Sequence, residues 1–161
     1  MRVLALLIAF AACSQGGTYE RGGRKGGDVD RGETNGRMFD FVSNMPEGDD
    51  WQIRIREDSL YAAYGDGDKT KELGTAKLDA AETQKVWKLI DAVEIPERKK
   101  GKKDEDEGYV SLRLREPGEA QHDIFTVFVS RADAEDDREV VTLAGYLQKL
   151  IEKHFKKKPQ F

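Results

Sequence analysis

Trp51, Ile53 and Ile55 alternate with Gln52, Arg54 and Arg56. A two-residue period of this kind sends one set of side chains inward and the other toward water, so the segment reads as a half-buried strand. Val110, Leu112 and Leu114 alternate in the same way with Ser111, Arg113 and Arg115. Residues 38–42 suit a first short strand. Residues 60–64 suit a hairpin partner of 51–56, reached through Glu57-Asp58. Residues 124–129 are the most apolar of these runs, which places them at the centre of the sheet. Residues 73–78 are one further short candidate. Pro46-Glu47-Gly48-Asp49-Asp50 and Pro117-Gly118 supply turn chemistry between runs.

Twice the period lengthens to three and four. Asp79 and Glu82 form the two ends of a capping box, and Val86, Leu89, Ile90 and Val93 follow on one stripe until Pro96. From about 137 to 157, Val140, Leu143, Ala144, Leu147, Leu150, Ile151 and Phe155 mark a second helix. Acids open it and Lys156 to Lys158 close it, as the helix dipole favours. Between the two halves, 99–107 reads KKGKKDEDE, a solvated loop. The expected fold is α+β: a mostly antiparallel sheet of about five strands, with two helices packed on one face. It occupies one domain, residues 37–161, long enough for a single core.

Upstream the pattern changes. Eight of the 16 glycines fall between positions 16 and 36, and 14–36 has almost no large aliphatic side chain. Such a segment cannot offset its ordering entropy by burial, so it reads as a flexible tether spanning about 25 Å. Before it, Met1-Arg2 precedes a ten-residue apolar run from 3 to 12. That is about half the length a membrane-crossing helix needs, and it suits the apolar region of a signal peptide.

The run ends Phe10-Ala11-Ala12-Cys13, and Cys13 is the only cysteine. This stretch resembles the lipobox of bacterial lipoproteins, with Phe10 standing where leucine is the common residue. The resemblance implies cleavage after residue 12, a diacylglyceryl thioether on Cys13, and a membrane anchor made by the acyl chains. Ser14 follows in place of the acidic residue that holds such proteins at the inner membrane, which implies an outer-membrane anchor with the domain on the periplasmic face. The alternative is a free or buried thiol in an uncleaved chain.

The remaining composition mainly excludes. One cysteine allows no intrachain disulfide and no cysteine-based zinc site. The net charge of −4 with pI near 5.4 gives no footprint for nucleic acid. Neither a G-x-S-x-G turn nor a phosphate-binding glycine loop is present. His122 starts a strand and His154 lies at the edge of the last apolar stripe, without metal-ligand spacing or a base-and-orienter arrangement. Asp66-Gly67-Asp68 invites a calcium reading, but Lys71 and Lys77 stand where an EF-hand loop needs glycine and glutamate. No cofactor or metal is expected, and nothing singles out a catalytic pair among the 31 acids.

What remains is a surface. On the solvent face of the sheet Arg54 and Arg56 can approach Arg113 and Arg115, with Tyr109 beside them, as a flat basic face for an acidic or glycan partner. The competing expectation pairs these arginines with Glu57, Glu116 or Asp123. Trp51 is a core aromatic, or a partner contact if it reaches the surface. The expected function is a non-enzymatic binding or structural module of the cell envelope, its partner a protein or an envelope polymer. The strand–helix–strand–helix order is also similar to that of small secreted bacterial protease inhibitors of the emfourin type, whose glycine-rich early motif has no counterpart here. A hydrolase using dispersed carboxylates is the other alternative.

Overall fold

The computed structural model describes residues 36–65, 69–118 and 121–161. The expected signal segment, Cys13 and nearly all of the expected tether lie outside the described residues, as does Asp66-Gly67-Asp68.

Strands β1 (Met38–Asn44), β2 (Asp50–Arg56), β3 (Ser59–Gly65) and β4 (Lys71–Lys77) precede helix α1 (Ala80–Ala92) and a 3-10 turn (Ile95–Glu97). Then come β5 (Tyr109–Glu116), β6 (Asp123–Ser130), α2 (Arg131–Asp136) and α3 (Arg138–Phe155). The strands form one antiparallel sheet in the order β4-β3-β2-β1-β5-β6. The α+β class holds, with six strands and three helices among the described residues in place of about five and two. β4 adds a strand that the weak pattern of 73–78 barely signals, because neither of its faces is fully buried. α2 is six residues long, too short to display a helical period, and Ser130 caps it by accepting from the Asp133 N–H at 3.2 Å.

Placing 124–129 at the sheet centre is corrected: β6 is an edge strand. Its apolar residues divide between two faces. Val127 joins the core, while Ile124 and Phe128 share the opposite face. The edge is covered in part by the charged loop, since the Phe128 N–H donates to the Lys100 carbonyl at 2.7 Å. Gly101 allows that approach. It has φ +69°, and a Cβ there would sit 2.0 Å from the Phe128 carbonyl oxygen. The loop is thus not wholly solvated, although most of its side chains are exposed.

The core follows from strand parity. Phe39 and Phe41 of β1 face Ile55 and Ile53 across one ladder, and Leu114 and Leu112 across the other. All are buried, in one cluster with Val86, Trp87 and Ile90 of α1 and Leu143, Leu147 and Ile151 of α3. Trp87 also donates its indole N–H to the Glu57 carbonyl at 3.0 Å, which ties α1 to the β2–β3 turn where Glu57 has φ 52°. Phe161 folds back so that its ring lies 5.0 Å from Phe41 and 6.1 Å from Trp51.

Two polar clusters hold the elements together. Arg37, 3% exposed, pairs with Asp91 of α1 at 2.5 Å and with Glu116 of β5 at 3.1 Å, its guanidinium 4.8 Å over Trp87. Breaking a buried pair of this kind leaves uncompensated charge, a cost of about 3–5 kcal/mol. Glu82 closes the capping box with Asp79 and also receives Lys153 Nζ of α3 at 2.6 Å. His154 Nε2 lies 3.2 Å from both of its carboxylate oxygens. Burial pushes this carboxyl upward, but the hydrogen bonds from Lys153, the Asp79 N–H and His154 outweigh it and hold the pKa at about 2.

Candidate functional site

The strand residues of the other parity form the opposite face, and the register arranges them in rows. One row runs Tyr61, Arg54, Asp40, Arg113, Thr126 across β3, β2, β1, β5 and β6. The next toward the loops is Gln52, Val42, Ser111, Phe128. On the other side lie Arg56, Met38, Arg115 and Ile124. A depression of about 640 Å³ opens over the first two rows. Tyr109 and Lys103 enter it from the β5 end and the charged loop.

The four expected arginines therefore converge, and β1 is what separates them. Arg54 and Arg113 both stand opposite Asp40, and Arg56 and Arg115 both stand opposite Met38. Antiparallel spacing puts these positions at the corners of a rectangle about 10 Å by about 7 Å. Their partners differ from those expected. Arg54 Nε donates to Asp40 Oδ1 at 2.6 Å, and Arg115 Nη2 lies 3.1 Å from His122 Nδ1. Glu116 points to the core side, where it meets Arg37. Arg56 and Arg113 are exposed and form no ion pair among the described residues.

Tyr109 lies where the alternation put it, packed edge-on against Phe128 with ring centroids 5.9 Å apart. Lys103 Nζ sits 5.7 Å from the Tyr109 ring and 5.5 Å from the Phe128 ring. At the far side Tyr61 has its phenol pKa raised, first by burial and then by the charge and hydrogen bond of Glu72. Trp51 is not part of this face. It is 2% exposed and stacked on Tyr64 at 4.9 Å, so the core reading applies and the partner-contact reading is corrected. Its parity matches that of Ile53 and Ile55, which is the physical reason.

Sequence reasoning missed Asp40 and Lys103. Asp40 was legible, because a carboxylate between Phe39 and Phe41 must face away from the core. Lys103 had no signal, since its place depends on the loop packing along β6. Among the described residues no group of three or more histidine, cysteine or acidic side chains gathers as a metal site. Among the same residues no helix is long and apolar enough to cross a membrane.

Chemically the depression offers cations, aromatic rings and neutral hydrogen-bonding groups. Its lining carboxylate, Asp40, is held by Arg54. No protein-family model matches the chain and no curated protein matches it.

Proposed function

We propose that this chain is a lipid-anchored envelope protein whose domain is a non-enzymatic binding module, with the open sheet face as its binding surface for an acidic partner. One observation carries the binding reading. Arg54, Arg56, Arg113, Arg115 and Lys103 share a face on which Asp40 is the carboxylate lining the depression, with Glu72 beside Tyr61 at its β4 margin. The chain as a whole is acidic, at −4, so this concentration of positive charge is local. Clustered guanidinium groups favour carboxylate and phosphate ligands and steer them in over a screening length of about 10 Å. The Cys13 resemblance supports the anchor, and each buried methylene of an acyl chain there adds about 0.8 kcal/mol of membrane affinity. An outer-membrane, periplasm-facing position is part of the same proposal.

Two measurements test it. Cys13→Ser abolishes metabolic labelling with palmitate; undiminished labelling rejects the anchor. Arg113→Glu, at an exposed position that leaves the core untouched, abolishes low-salt retention of acidic envelope material by the immobilised full chain. Equal retention by the variant rejects the face.

A further inference from the structure

Resting on that reading, we propose that the open face binds a carboxylate-bearing polysaccharide rather than an acidic peptide. The first argument concerns backbone. An extended peptide satisfies its own N–H and C=O groups by adding to a sheet edge, whereas the face of a sheet presents only side chains. The edge nearest the cations is engaged toward its C-terminal end, where the Phe128 N–H meets the Lys100 carbonyl. A peptide drawn to Arg113 would find only side chains and water for its backbone groups, not a ladder. A polysaccharide carries no such backbone and brings hydroxyls instead.

The second argument is the composition of the surface between the charges. Gln52, Ser111 and Thr126 offer neutral donors and acceptors on three different strands, matched to a ligand with many hydroxyls. The Tyr109 and Phe128 rings add apolar area on which the C–H face of a sugar can rest.

The third argument selects the anion. Asp40 already shows how a carboxylate sits in the quartet, 2.6 Å from Arg54 and opposite Arg113. Arg113 remains for a ligand carboxylate on the far side of β1. Asp40 also repels excess negative charge at that point, which favours spaced monoanions over dense phosphate. The quartet's two pairs lie about 7 Å apart along the strands, so consecutive charged units can be engaged together.

The test is calorimetric titration of the full chain in detergent with polygalacturonate oligomers at low salt. Poly-glutamate, polyphosphate and neutral dextran serve as the other arms. Polygalacturonate is expected to bind in preference to the other three. Arg113→Glu and Tyr109→Ala are each expected to weaken it by about tenfold or more, while Lys88→Glu on the exposed side of α1 leaves it unchanged. Poly-glutamate bound as tightly, through Arg113, overturns the polysaccharide and leaves the acidic-partner reading standing. Polyphosphate bound more tightly overturns the choice of carboxylate in the same way. Polyanion binding that is indifferent to Arg113→Glu, or no binding by any arm, overturns the acidic-partner reading itself.

Discussion

Glu82 shows how one side chain can serve local and long-range structure together. Its role in the capping box was readable from the spacing to Asp79, because that contact spans three residues. The contacts to Lys153 and His154 span 71 and 72 residues and left no mark in the sequence. His154 read as a packing position, and it is half-buried as expected, yet its ring is turned to a carboxylate. Arg37 is similar: its position just before β1 gave no hint of burial, since the partners Asp91 and Glu116 come from distant elements.

A pH prediction follows for Glu82. Its folded pKa of about 2 lies below the ordinary 4.5, so the carboxylate stabilises the fold above pH 4.5. That contribution is lost as pH falls through the folded value. Asp137 acts in the same direction, its pKa lowered by the Arg98 hydrogen bonds against the opposing effect of burial. Glu82→Gln is expected to cost about 1–2 kcal/mol in urea unfolding near neutral pH, after allowance for the solvent around Lys153. The gap from wild type should narrow in acid, below about pH 4. A gap that widens on acidification contradicts the assignment.

At the scale of elements, strong alternation was legible and weak edges were not. β2 and β5 announce themselves because every second residue is buried. β4 has no such contrast and is held by its ladder to β3, with an irregularity at Ala62/Ala63. The apolar run of β6 misled, since Ile124 and Phe128 face the depression and not a second layer of helices. The charged loop turns that edge strand into part of the candidate site. Gly101→Ala is therefore expected to displace Lys100 from Phe128, costing about 1–3 kcal/mol through the positive φ and the backbone clash. Amide exchange at Phe128 reads it directly. Unchanged protection there shows that the loop does not cover the edge.

For the whole molecule, the open face of the sheet gathers a local group of cations. The sequence placed the four arginines on one side of the sheet by parity alone, but it could not say that β1 runs between them. That insertion is what creates the rectangle and sets Asp40 inside it. That a strand first among the described residues is central in the sheet is invisible to periodicity, which reports faces and not neighbours.

The central claim is that this face, and no other surface, meets the acidic partner. An amide-shift titration of the labelled protein with polygalacturonate oligomers tests it most directly. Shifts gathered on Asp40, Arg54, Tyr109, Arg113 and Thr126, with α1 and α3 silent, are the predicted result; shifts gathered on the helices contradict it.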